Sequence, residues 1–108
     1  MMGVTISTKH FRDYDMGYFA FARFRDDIAE FVPSNPKQGT IKFLEQSDCD
    51  GKLSYKECKE LLSDINDMPD NGTYYGYPGR GKYECLTISI FKEMLLIAYK
   101  YRCNLYWF

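Results

Sequence analysis

The stretch that decides the fold is LTISIFKEMLLIAYKYRCNLYWF, residues 86–108. Ile88, Phe91, Met94, Leu95, Leu96, Ile97, Ala98 and Tyr99 cover most of the circumference of a helix running from about Leu86 to Arg102. A helix apolar nearly all round is buried by its neighbours, so this one is expected at the centre of the core. Thr87 is its expected cap, and Asn104 its C-cap. LYWF, Leu105–Phe108, then reads as a closing strand. Its expected partner is GVTIST, Gly3–Thr8, a β-branched run suited to a sheet edge. The ends of small domains often meet in this way.

Between these ends, Phe21, Phe24, Ile28 and Phe31 recur at helical spacing. They predict an amphipathic helix over Gly17–Phe31, with Asp15 placed to cap it. Pro33 and Pro36 stop it, because the residue before a proline is pushed out of helical geometry. KHFRDYDMG, in front of the helix, reads as a connection. Thr40–Gln46 fits one or two helical turns. Ser54 and Glu57 have the spacing of a capping box and open a further helix. Tyr55, Cys58, Leu61, Leu62 and Ile65 form its apolar stripe, with Lys56, Lys59, Glu60, Ser63 and Asp64 solvated. The expectation is an α+β fold in a single domain, residues 1–108. About three main helices pack on the apolar C-terminal one, and short strands come from the two termini.

The totals are consistent with one domain. A chain of 108 residues has room for one hydrophobic core without staples. Ten Tyr and eight Phe make that core, the surface, or both unusually aromatic. The formal net charge is −1, which gives no global pull toward nucleic acid or an anionic membrane. Met94–Tyr99 is far too short to span a bilayer. Met1–Lys9 has neither the basic nor the apolar region of a signal peptide. Cys49, Cys58, Cys85 and Cys103 form no Cys-x-x-Cys pair and read as reduced thiols in a cytoplasm.

QSDCDGKLSYKE, Gln46–Glu57, has the lettering of a calcium loop. Such a loop presents oxygens at its positions 1, 3, 5, 7, 9 and 12, with glycine at 6 for a sharp turn. Anchored on Gly51, these positions hold Gln46, Asp48, Asp50, Lys52 through its carbonyl, Ser54 and Glu57. The stretch resembles the second half of a degenerate EF-hand, which implies calcium on Asp48, Asp50, Ser54 and Glu57. Gln46 removes the first carboxylate, and no second loop is present to pair with this one. The bland reading needs no metal. Ser54 and Glu57 are a helix cap, and Asp and Gly supply a tight turn.

Over a longer span, SDCDGKLSYKECKELL, Ser47–Leu62, resembles small uncharacterised bacterial and prophage proteins. They carry Ser-Asp-Cys-Asp-Gly before a Cys-bearing helix, followed by a later helix and an aromatic end. The resemblance implies a fold and a genomic origin rather than an activity.

Two further features carry chemistry. Cys49 or Cys58 with His10, the only histidine, is the arrangement open to a Cys–His catalytic pair. Small thiols packed around one turn are the plain alternative. HFRDYD, His10–Asp15, gathers acid–base groups that equally suit a solvated entry to a helix. DMPDNGTYYGYPGRGKY, residues 67–83, is too rich in Pro and Gly for a helix. It reads as a functional loop, a disordered one, or a hairpin in which Tyr74, Tyr75 and Tyr77 pair with Lys82–Cys85 across Pro78-Gly79. Tyrosines on a glycine-rich loop make large, adaptable contacts. Tyr74, Tyr75, Tyr77, Arg80 and Lys82 are therefore the expected partner-binding residues, unless the tyrosines lie back on the core.

Three functions follow. The first is a non-enzymatic binding protein docking on another protein, with a prophage-encoded inhibitor of a host or defence factor as its specific version. The second is a calcium-responsive module, and the third a small Cys-dependent enzyme. No resident cofactor other than calcium is implied.

Overall fold

Alternation along the first strand sets the architecture. Val4, Ile6 and Thr8 are buried while Thr5 and Ser7 face outward, so β1 (Val4–Thr8) covers a core on one side only. The structure, a computed structural model, describes residues 3–76 and 85–108. β1 pairs antiparallel with β2 (Tyr14–Met16), with Thr5 opposite Asp15. On its other side it pairs antiparallel with β4 (Leu105–Trp107), with Ser7 opposite Tyr106. The expected union of the two ends is therefore present. β1 is nevertheless an interior strand and not an edge, because KHFRDYDMG turns back and contributes β2. The fourth strand, β3 (Gly51–Leu53), lies inside the calcium-like loop and pairs with β4, giving the order β2-β1-β4-β3.

The helices are α1 (Tyr18–Phe31), α2 (Gln38–Glu45), α3 (Tyr55–Ile65) and α4 (Ile88–Lys100). The fold is α+β. Asp15 does not cap α1. It sits in β2, accepts a hydrogen bond from Thr5 Oγ1 at 2.6 Å, and leaves Gly17 as an N-cap without a side-chain bond. The capping box of α3 is complete. Glu57 N–H donates to Ser54 Oγ at 3.2 Å and Ser54 N–H donates to Glu57 Oε1 at 2.8 Å. Thr87 caps α4 as expected. Asn104 does not end that helix. Tyr101 is its C-cap, and Arg102 takes the left-handed backbone with φ 54°. α4 is not buried all round either, since Ser89, Glu93, Leu96 and Lys100 form a solvent-facing stripe.

α2 is only eight residues long, and its neighbours complete it. A Cβ on Gly39 would come within 2.2 Å of the Glu57 carbonyl oxygen, so glycine there lets α2 and α3 touch backbone to backbone. Glu60 and Asp64, expected in solvent, point at the N-terminus of α2. Glu60 accepts from Gly39 N–H at 3.0 Å and Asp64 from Lys37 N–H at 2.8 Å. Carboxylates there satisfy orphan N–H groups and oppose the positive end of the helix dipole. At the other end Arg25 donates to the Phe43 and Gln46 carbonyls at 3.0 and 2.7 Å. It is a cap delivered from α1. Burial lowers the Arg25 pKa against the opposing fields of Asp48 and Asp26.

The core is aromatic where the layers meet. Trp107 of β4 packs edge-to-face on Phe43 at 5.1 Å, and Phe24 does so on Phe91 at 4.8 Å. These T-shaped contacts suit the ring quadrupole.

Candidate functional site

The calcium-like loop is built on different chemistry from that its lettering suggests. Gln46 holds both backbone groups of Lys52. Its Nε2 donates to the Lys52 carbonyl at 2.9 Å, and its Oε1 accepts from Lys52 N–H at 3.1 Å. Those two groups point away from β4, so the primary amide stands in for a missing fifth strand. An unpaired edge of this kind templates pairing with other chains unless it is blocked. The oxygen expected to ligate calcium from Lys52 is therefore already engaged. Glu57 is engaged too, with the Lys42 ammonium 3.1 Å from Oε1. Burial pushes the Glu57 carboxyl up. The Ser54 backbone bond and Lys42 outweigh it, and the net pKa is lowered.

Asp48 and Asp50 remain exposed. Among the described residues no three His, Cys, Asp or Glu side chains lie close enough to hold a metal ion. The structure thus does not gather Asp48, Asp50, Ser54 and Glu57 into one cage. Gly51 also has a different role from the expected one. It lies in β3 rather than at a left-handed turn, and a Cβ there would fall 1.9 Å from Trp107 Cε2. Glycine makes room for the indole, whose Nε1 donates to the Ser47 carbonyl at 2.8 Å.

The tyrosines of the Tyr/Gly loop divide. Tyr75 is in the core, which corrects its assignment to a contact surface. Its backbone bridges Leu86, and its hydroxyl donates to Asp27 and accepts from Asn71 Nδ2. Burial first, and the Asp27 carboxylate second, push the Tyr75 phenol up to about 12. Gly76, at φ +98°, passes so close to β2 that a Cβ would meet the Asp15 carbonyl at 2.5 Å. Tyr74 is 71% exposed and available. Tyr77, Arg80 and Lys82, with the Pro78-Gly79 turn, lie outside the described residues.

The cysteines named as candidate nucleophiles sit in different surroundings. Cys58 is fully buried, and desolvation pushes its pKa up to about 12, the reverse of what a nucleophile needs. Cys49 is exposed beside Ser47. His10 is exposed and packs on Tyr101 with the rings tilted by 40° and their centroids 4.6 Å apart. Neither cysteine is bonded to His10.

The feature the sequence left undivided is LYWF. Leu105 and Trp107 are fully buried, whereas Tyr106 and Phe108 are 43% and 58% exposed. Phe108 continues the pairing past β4 by exchanging two backbone hydrogen bonds with Thr5. The outer face of the sheet then carries Asp15, Thr5 and Phe108 in one row, and Ser7, Tyr106 and Lys52 in the next. All the helical rings that pack on the strands lie on the other face. Strict two-residue alternation was the signal available for this division.

Compared with known proteins, the chain matches no family model, no curated protein and no solved structure. Among the described residues no helix is long and apolar enough to cross a membrane.

Proposed function

We propose that the protein is a non-enzymatic binding module that docks on another protein through the outer face of its sheet. The observation that carries this reading is the pair Tyr106 and Phe108. Two aromatics two residues apart stand on the same solvent face, rimmed by Thr5, Ser7, Asp15 and Lys52. An apolar centre within a polar rim is the anatomy of a protein interface. Tyrosine and other rigid aromatics supply such contact at low entropic cost. The likeness of Ser47–Leu62 to prophage-borne proteins favours a host or defence factor as the target.

The test is capture from a host lysate with the wild type beside a Tyr106→Ser/Phe108→Ser variant, read by mass spectrometry. Both side chains point away from the core, so thermal melting should show the variant folded. If they anchor the contact, a partner held by the wild type is lost, since an aromatic hot spot contributes about 2 kcal/mol or more. Equal recovery of that partner by both proteins would remove the sheet face from the interface.

A further inference from the structure

The charges of this nearly neutral chain are unevenly spread, and one surface combines cations with tyrosines. It begins at the hairpin after β1, where His10 packs against Tyr101 in a tilted pair with centroids 4.6 Å apart. The Lys100 ammonium lies over the same Tyr101 ring at 5.6 Å. Two residues before Tyr101, Tyr99 receives Lys59 of α3, whose Nζ lies 4.9 Å from the ring centroid on the hydroxyl side and donates to the hydroxyl at 3.3 Å. Tyr99 also packs on Tyr55 at 6.4 Å, and Lys56 lies over Tyr55 at 5.9 Å. The result is a ridge of two clusters, Lys56, Tyr55, Tyr99 and Lys59 on α3 and α4, and Lys100, Tyr101 and His10 at the C-terminal end of α4, joined through residues 99–101. Lys9 and Arg102 flank it in sequence, and both are exposed.

The ridge has an unmet electrostatic need. The chain holds 15 Asp and Glu residues. Yet among the described residues the ion pairs are Arg23–Asp27 and Lys42–Glu57, neither of them here. The nearby carboxylates of α3 are turned the other way. Glu57 faces Lys42, and Glu60 and Asp64 face the N-terminus of α2. Lys56, Lys59, Lys100, Lys9 and Arg102 are therefore exposed cations with no carboxylate within salt-bridge distance among the described residues.

Base-stacking proteins combine similar residues, but they leave the aromatic faces open to the bases. Here Lys56 and Lys100 lie over tyrosine rings, and Lys59 and His10 pack against the others. Cation–π contact holds each ammonium on its ring while its other protons remain available. That arrangement suits separate carboxylates better than a stacked base.

We infer that this ridge is where the protein receives an acidic segment of its partner, with Asp and Glu side chains pairing with Lys56, Lys59 and Lys100. The inference rests on the reading of the protein as a protein-binding module and names the chemistry of the partner. Complementary charge of this kind raises association rate and selects among partners, and it is screened by salt.

Fluorescence anisotropy tests it, with fluorescein-labelled oligoglutamate and oligo(dT) of equal length as probes. Oligoglutamate should bind at low salt, more tightly than oligo(dT), and should be released as salt rises. Lys59→Glu/Lys100→Glu should weaken it by roughly tenfold or more, as like charge replaces opposite charge. Arg23→Glu/Lys37→Glu, an equal charge change placed away from the ridge, should leave most of the affinity. Thermal melting of both variants confirms folding. Absence of oligoglutamate binding, tighter binding of oligo(dT), or equal loss in the two variants would each overturn the inference. Oligoglutamate has no apolar side chain to engage Tyr106 and Phe108. A failure here therefore leaves the lysate experiment on the sheet face to stand or fall separately.

Discussion

Gly51→Ala separates the two readings of the loop. A Cβ at this position would lie 1.9, 2.1 and 2.3 Å from Trp107 Cε2, Cζ2 and Nε1. Non-bonded carbons sit at about 3.5–4.0 Å, so the indole must leave its slot. Moving it disturbs the edge-to-face contact with Phe43 and the Nε1 bond to Ser47. Overpacking a core costs about 1–3 kcal/mol, and stranding a buried donor costs about 1–3 kcal/mol more. We expect a loss of about 2–6 kcal/mol, a large share of the ~5–15 kcal/mol that stabilises a typical domain. The melting temperature should fall by roughly 8–25 °C for a chain of this size. Urea unfolding measures it directly, and Trp107, the only tryptophan, reports its own burial by fluorescence. The decisive comparison is the same substitution in a Trp107→Phe background, followed by circular dichroism. A smaller ring relieves the clash, so the cost of Gly51→Ala should drop by at least about 1 kcal/mol, the coupling expected of residues in contact. If the cost is the same in both backgrounds, or Gly51→Ala is tolerated outright, Trp107 is not the reason for the glycine.

Gln46→Asp restores the first carboxylate of a calcium loop but removes the amide donor to Lys52. It should cost roughly 1 kcal/mol from the lost hydrogen bonds. Calcium should not recover it, and a calcium-dependent rise in melting temperature would contradict the strand-edge role of Gln46. Asp70 accepts from Ser89 Oγ and N–H at 2.7 and 2.8 Å at the start of α4, and these bonds lower its pKa. Its stabilisation is present above the unfolded carboxylate pKa and lost as pH falls through the lower folded value. Asp70→Asn should therefore flatten the acid limb of a stability–pH curve, and an unchanged limb would discount the cap. Tyr75 has the opposite sign. Its contribution is full below the usual phenol pKa and is lost as pH rises toward about 12, so Tyr75→Phe should blunt alkaline unfolding. Iodoacetamide should modify exposed Cys49 within the folded protein and buried Cys58 only on unfolding. Equal rates would show the core open.

Local signals in the chain were strong wherever the cause of a structure was local. The capping box at Ser54–Glu57, the cap at Thr87 and the stop at Pro33 all involve residues within one turn of each other, and all were legible. β2 was hidden because a three-residue strand carries too little alternation to stand out from a connection. Asp15 looked like a cap because it precedes a helix, but Thr5 claimed it across a strand pair no local pattern reveals. Glu60 and Asp64 looked solvated because each is charged and lies on an amphipathic helix. Each instead completes α2, an element distant in sequence, whose other end Arg25 caps from α1.

The sequence by itself determined the helices, the closing strand and the α+β class, since periodicity and capping are written within a few consecutive residues. Only the tertiary structure decided how the residues of Gln46–Glu57 are arranged. A calcium loop and a blocked sheet edge are spelled with nearly the same residues, because both need a tight turn, a short strand and a capped helix. The difference lies in β4, more than fifty residues away. Trp107 occupies the space above Gly51, and pairing with β4 turns the Lys52 backbone toward Gln46.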